Sequence, residues 1–118
     1  MTAPVLIGIG LLGGAGALVR FLLDGAVSER WRGSFPAGTL AVNLSGAFAL
    51  GIVTGATLHG DALRLVATGL IGSYTTFSTW MLESHRLGED GALSIAALNI
   101  ALSLVAGVAA VAIGRAVA

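Results

Sequence analysis

Four long apolar stretches, separated by short polar clusters, constrain the fold of this chain more than any other feature. They cover about residues 4–24, 37–58, 62–84 and 92–114, and 56% of the chain is hydrophobic against 10% charged. A helix needs about 20 residues to cross about 30 Å of hydrocarbon, and a soluble domain needs a more highly charged surface. The pattern predicts an all-α membrane protein with four transmembrane helices, a single domain over residues 1–118.

Arginines carry little information on orientation. The arginines expected on one side are Arg20, Arg30, Arg32 and Arg86, and those on the other are Arg64 and Arg115. The positive-inside rule depends on this difference, which is small. Two topologies stay open: one fixed N-out orientation, or insertion in both orientations, which allows an antiparallel dimer. The net charge is zero, so nothing indicates a nucleic-acid partner.

Glycines inside the apolar stretches indicate close helix contacts. Small residues recur at four-residue spacing in Gly10–Gly14, Ala47–Gly55 and Ser103–Gly107, which is typical of helices that approach closely in membranes. These contacts lie within one subunit or between subunits. Residues 8–13 also match the dinucleotide-binding G-x-G-x-x-G pattern, but that pattern requires a strand–helix context. We interpret residues 8–13 as part of a transmembrane helix.

The third stretch holds an unusual cluster of hydroxyl side chains near its middle. The five residues are Ser73, Thr75, Thr76, Ser78 and Thr79. They follow two glycines, Gly69 and Gly72. Irregular backbone at membrane depth is tolerated only where it is buried in protein or lines a polar cavity. We expect a helix broken near its middle, with free carbonyls and hydroxyls; ordinary hydroxyl packing within a helix is the alternative.

Other polar residues occupy the second and fourth stretches. Asn43 lies in an otherwise small and apolar run, and Asn99 and Ser103 share one face of the fourth stretch. Each residue on its own can be a contact between helices. Together they make a buried inventory that is rich in hydrogen-bond donors and neutral apart from Arg20. The side chain of Arg20 either snorkels to the interface, raises the potential at a pore mouth or buttresses helix ends. Such an inventory suits a small anion.

Two aromatic residues, Phe77 and Trp80, project from neighbouring points of the third stretch. The positive edge of an aromatic ring can face an anion, although both side chains can equally pack against lipid. An enzyme is not expected, because the sequence shows no nucleophile–base pair or metal cluster. His59 and His85 lie near the ends of stretches, where an interfacial position is expected.

Several of these segments match one family pattern. They are Gly13–Arg20, Phe35–Thr39 with Asn43 and Gly46, Gly69–Gly72, Thr75–Thr79 and Asn99–Gly107. Thr-Thr-Phe-Ser-Thr after a glycine-interrupted helix is the most distinctive of them. Over essentially its whole length, the chain resembles the CrcB/Fluc family of fluoride channels.

The resemblance implies a dual-topology dimer in the bacterial cell membrane that lets fluoride leave the cytoplasm passively through two pores. It implies a structural sodium ion at the dimer centre, held by the main-chain carbonyls of Gly72 and Thr75. The residues implied to line the fluoride pore are Asn43, Phe77, Ser78, Thr79 and Trp80, with Asn99 and Ser103 along a polar track. Arg20 matches the family arginine of the first helix.

The chain departs from the family pattern at one position, and two other protein classes stay open. Trp80 stands where the family usually has phenylalanine, so the partner is either a second copy or a paralogous subunit. A small multidrug transporter, also a four-helix dimer, should carry an acidic residue within its first helix, and this chain has none before Asp24. A subunit that only packs in a larger complex would tolerate Thr75→Val and Phe77→Leu without losing transport.

Overall fold

The computed structural model describes residues 2–118, and every regular element in that range is helical. The α-helices are α1 (Ala3–Arg30), α2 (Ala37–Gly55), α3 (Gly60–Leu63), α4 (Gly72–Tyr74), α5 (Ser78–Glu89) and α6 (Leu93–Val117). A π-helical segment, Arg64–Ile71, joins α3 to α4. The subunit measures 49 × 29 × 23 Å, so its long axis can cross the hydrocarbon core and reach both headgroup layers.

Three of these helices, α1, α2 and α6, are long and apolar enough to cross a membrane. α1 continues past the expected end at residue 24 to Arg30, which leaves Arg20 about 15 Å from its C-terminus rather than near it. α2 ends at Gly55 instead of residue 58, because Thr57 takes a left-handed φ of 60° that stops the helix. α6 begins and ends close to the expected limits of residues 92 and 114.

The expected third span, residues 62–84, is divided into four pieces. In the π-helical segment the chain is wider than an α-helix, and the N–H of Gly72 bonds the carbonyl of Ala67 five residues back. After α4 the chain becomes extended at Thr75, where ψ is 159°. Helical geometry resumes at Ser78 and continues to Glu89, past the expected end of the span. Residues 75–77 are therefore the point at which the backbone leaves helical geometry.

Glycines bring α2 and α6, the most extensively paired helices, into close contact. A side chain at Gly51 would meet the main-chain oxygen of Val111, and one at Gly114 would meet that of Phe48. Gly16 of α1 packs in the same way against Leu70 at the end of the π-helical segment.

The regular spacing of small residues identifies these contacts only in part. Gly51 and Gly55 of the expected set do lie in the tight contact between α2 and α6. Gly10, Gly14 and Gly107 instead have open space where a side chain would project. Contacts within the subunit therefore account for Gly51 and Gly55, and contacts between subunits stay open for Gly10, Gly14 and Gly107.

Candidate ion pathway at the helix break

Asn43 of α2 holds the non-helical backbone at Thr76. Its Nδ2 donates to the carbonyl of Thr76 at 2.9 Å, and its Oδ1 accepts from the N–H of Thr76 at 2.8 Å. A primary amide is the neutral side chain that can donate and accept through neighbouring atoms, as a backbone peptide does. Asn43 therefore replaces the helical hydrogen-bond partners that Thr76 lacks at the break.

This pairing leaves carbonyls without their helical donors. In a continuous α-helix the N–H of Thr76 would bond the carbonyl of Gly72, but here it bonds Asn43. The N–H of Thr79, which would bond the carbonyl of Thr75, donates instead to Thr76 Oγ1 at 3.2 Å. The carbonyl oxygens of Gly72 and Thr75 are thus released as potential ligands, and oxygen is the atom that hard cations prefer.

Three of the five hydroxyl side chains have hydrogen-bonding roles at the break. Ser73 donates to the carbonyl of Gly69 at 2.7 Å, and Thr75 donates to that of Ile71 at 3.2 Å, so both bond the backbone one turn earlier. Thr76 caps the first turn of α5 through its bond from Thr79. Ser78 is exposed and the side chain of Thr79 is half-buried.

Two open grooves lie side by side at the break. The Thr75 groove, about 330 Å³, includes Asn43, Gly46, Gly72, Thr75, Phe77 and Trp80. The Ser103 groove, about 300 Å³, includes Asn43, Ala47, Trp80, Ser103, Gly107 and Val111. Four residues line both grooves and so form the wall between them: Asn43, Ala47, Trp80 and Val111. Ser78 and Thr79 lie outside both sets of lining residues.

The two aromatic residues contact each other across the mouth of the Thr75 groove. The ring centroids of Phe77 and Trp80 are 5.6 Å apart with an interplanar angle of 82°, an edge-to-face pair. Phe77 is 70% exposed in the subunit. The ring is therefore accessible to whatever covers the groove.

The two fourth-stretch residues are placed differently. Ser103 is half-buried and lines its groove, whereas Asn99 is 1% exposed and lies behind Trp80. The amide of Asn99 donates to Ser84 Oγ at 2.8 Å. The structure therefore brings Asn43, Phe77, Trp80 and Ser103 to the grooves and keeps Asn99 within the packing between α5 and α6.

Polar atoms also lie buried away from the grooves. Arg20 Nε, Thr39 Oγ1 and Glu83 Oε1 are buried in the described part of the chain without a hydrogen-bond partner. Glu83 corrects the expectation that Arg20 is the one charged group in the buried inventory, because one carboxylate oxygen is enclosed by protein. Its position one turn after Trp80, within the expected third span, was the sequence signal that could have identified it.

The sequence comparisons agree with this architecture. The family model described as CrcB-like protein, Camphor Resistance (CrcB), matches residues 7–115. The chain belongs to the CrcB family, and the predicted membership is confirmed. It is accordingly a multi-pass membrane protein, and the expectation of a membrane location is confirmed with it.

Relatives match the chain over most of its length. A protein of Mycobacterium tuberculosis (strain ATCC 25618 / H37Rv), named fluoride-specific ion channel FluC 2, is 49% identical over 98% of this chain and 91% of its own length. FluC 2 of Mycolicibacterium paratuberculosis is 51% identical over 97% of this chain and 93% of its own. A protein of Geobacter sp. (strain M21), named fluoride-specific ion channel FluC, is 48% identical over 86% of each chain.

Proposed function

We propose that this chain is a subunit of a fluoride-selective channel that lets fluoride leave the cell passively. The observation that carries the proposal is the pair of grooves at the helix break, together with relatives of nearly full coverage that are named fluoride-specific channels. Fluoride enters as neutral HF and ionises in the cytoplasm, and the negative-inside potential drives the anion outward. The function is conduction, and the chain is not an enzyme.

The proposed pathway is lined by neutral donors and aromatic edges. Asn43, Phe77, Trp80 and Ser103 line the grooves directly. Ser78 and Thr79 would join the pathway once a partner covers the exposed face of α5, and Arg20 would serve at a pore mouth or as a structural residue. Small fluoride can exchange its hydration water for such donors, whereas chloride fits a narrow path poorly.

The exposure of the Thr75 groove in the single subunit supports an assembly of two subunits. At membrane depth, polar backbone must be covered by protein or line a polar cavity. The carbonyls of Gly72 and Thr75 meet this requirement if a second subunit lies across the groove. The same subunit would cover the exposed ring of Phe77. We propose an antiparallel dimer of four-span subunits, with α3 through α5 as the broken third span, and with a second copy or a paralogue as the partner.

A structural sodium ion fits the same place. The proposed ligands are the main-chain carbonyls of Gly72 and Thr75, whose helical donors are engaged elsewhere. Carbonyls of this kind supply neutral oxygen ligands to a hard cation. If sodium binds there, hydrogen exchange at residues 72–79 should be slower in NaCl than in an N-methylglucamine salt. Equal exchange rates in the two salts would contradict the sodium site.

Fluoride efflux from liposomes tests the function. Purified protein should release fluoride, detected by a fluoride electrode, and should not release chloride. Phe77→Ile should slow fluoride release by about tenfold or more, the effect of about 1.4 kcal/mol on the barrier. Phe21→Ile is the matched control, because Phe21 is similarly exposed at 74% but lies on α1.

The two outcomes of the liposome experiment distinguish the remaining hypotheses about the partner and the function of the chain. Release by this chain alone establishes a second copy as a sufficient partner. Absence of release from folded protein, persisting with a co-expressed paralogue, contradicts the channel and favours a subunit that only packs in a complex.

A further inference from the structure

Three residues form a closed set of hydrogen bonds between α5 and α6. Trp80 Nε1 donates to the main-chain oxygen of Asn99 at 3.3 Å, and Asn99 Nδ2 donates to Ser84 Oγ at 2.8 Å. Ser84 Oγ donates in turn to the main-chain oxygen of Trp80 at 2.9 Å. We call Trp80, Ser84 and Asn99 the Asn99 clamp. Within residues 2–118, two side-chain hydrogen bonds join α5 to α6, and Asn99 takes part in both of them.

The three residues of the Asn99 clamp differ in their access to the grooves. Ser84 is 5% exposed and Asn99 is 1% exposed, so neither side chain reaches the groove surface. Trp80 is half-buried and lines both grooves. Its N–H already donates to the main-chain oxygen of Asn99, so the indole presents ring carbon to the grooves instead of a donor nitrogen.

We propose that Asn99 is a positioning residue for ion selectivity: its side-chain amide ties α6 to Ser84 of α5, and this contact keeps its main-chain oxygen within reach of the Trp80 indole N–H, in the wall between the Thr75 and Ser103 grooves. This inference rests on the proposed channel function. An indole has rotamer freedom that a buried hydrogen bond removes. The held ring keeps its edge-to-face contact with Phe77, at 5.6 Å between centroids. A phenylalanine at this position would have no N–H to donate to the main-chain oxygen of Asn99, so the Asn99 amide would no longer act on the ring through that hydrogen bond.

Trp80 fluorescence tests the positioning independently of transport. The chain has two tryptophans, so Trp31→Phe leaves Trp80 as the single emitter. In that background, Asn99→Leu keeps the main-chain acceptor of Trp80 but removes the amide that bonds Ser84, and Ser84→Ala removes the hydroxyl that links this amide to α5. We expect both to increase acrylamide quenching of Trp80 by about twofold, while Ser94→Ala, on the exposed face of α6, leaves quenching unchanged.

Permeation tests the consequence for selectivity. Asn99→Leu should lower the ratio of fluoride to chloride permeability by about tenfold, equivalent to about 1.4 kcal/mol. Ser84→Ala should lower it in the same direction, and Ser84→Thr, which keeps the hydroxyl, should restore it. If Asn99→Leu does not fold, the Ser84 pair alone provides the comparison.

The Trp80→Phe background distinguishes positioning from direct contact with the ion. Without the indole N–H, Asn99→Leu should change the permeability ratio by less than about twofold. An equal loss in both backgrounds would mean that Asn99 contacts the ion itself, and it would overturn the proposal. Unchanged quenching in Asn99→Leu and Ser84→Ala would also overturn it. If no variant conducts fluoride, the proposed function fails, and quenching still decides whether the clamp holds Trp80.

Discussion

Replacing Asn43 by alanine should destabilise the subunit because it removes both hydrogen bonds to Thr76. The two bonds measure 2.9 and 2.8 Å and connect partly buried groups. Each loss leaves a backbone group of Thr76 without a partner, which costs about 1–2 kcal/mol in a site that water reaches poorly. We therefore expect Asn43→Ala to lower the free energy of unfolding by about 2–4 kcal/mol.

Unfolding by SDS in mixed micelles, followed by far-ultraviolet circular dichroism, measures this loss. Ser45→Ala is the matched control, since Ser45 lies on the same helix and its hydroxyl also makes two hydrogen bonds, an exposed one of 2.7 Å with Tyr74 and a local one of 3.0 Å to the carbonyl of Val42, which the helix already satisfies. That variant should lose less than about 1 kcal/mol. Equal destabilisation by the two variants would refute the role of Asn43 in supporting the break.

The same variant should weaken any stabilisation by sodium. Once Asn43 is absent, the non-helical backbone at Thr76 loses the side chain that holds it in place, and the carbonyl of Gly72 loses its fixed position beside the break. That carbonyl is then no longer positioned to bind a cation. The unfolding midpoint of Asn43→Ala should differ less between sodium and N-methylglucamine than the midpoint of the unmodified protein or of Ser45→Ala. A sodium effect of unchanged size would separate Asn43 from the cation site.

Four further variants test local contacts and backbone geometry by the same unfolding titration. Gly51→Val places a side chain against the main-chain oxygen of Val111 and should cost more than about 2 kcal/mol, whereas Gly107→Val, which meets open space, should cost little within the subunit. Thr57→Gly relieves a left-handed φ of 60° and should stabilise by about 1 kcal/mol. Asp61→Asn breaks an exposed ion pair with Arg64 and should change stability by less than about 0.5 kcal/mol. Equal costs for the two glycine variants, no gain from Thr57→Gly or a large loss from Asp61→Asn would contradict the respective contact.

The apolar stretches predicted the long helices well because span length follows directly from bilayer thickness. α1, α2 and α6 coincide with three of the four expected spans to within a few residues at most ends. The exception is the C-terminus of α1, which extends past Asp24 to Arg30. Charged residues can continue a helix beyond the hydrocarbon, so a polar cluster marks the edge of the membrane and not the end of the helix.

The third stretch shows where sequence reasoning fails. The hydroxyl cluster indicated irregular backbone near Thr75, but nothing in Arg64–Ile71 distinguishes a π-helix from an α-helix. The two differ by one residue in hydrogen-bond spacing, and the same residue types suit both. Glycine spacing does not show which glycines make contacts within the subunit, for a related reason: Gly10 and Gly16 both lie on α1, and only the position of the π-helical segment decides which one is covered.

The geometry of Asn43 is compatible with both proposed ions, the sodium cation and the fluoride anion. Its Oδ1 engages the N–H of Thr76 and so releases the carbonyl of Gly72, an oxygen suited to a cation. Its Nδ2 carries two hydrogens, of which the bond to Thr76 uses one, and the residue lines both grooves. The second hydrogen is thus a donor suited to an anion. Aspartate could accept but not donate, and leucine could do neither, so an amide is the side chain that this position requires.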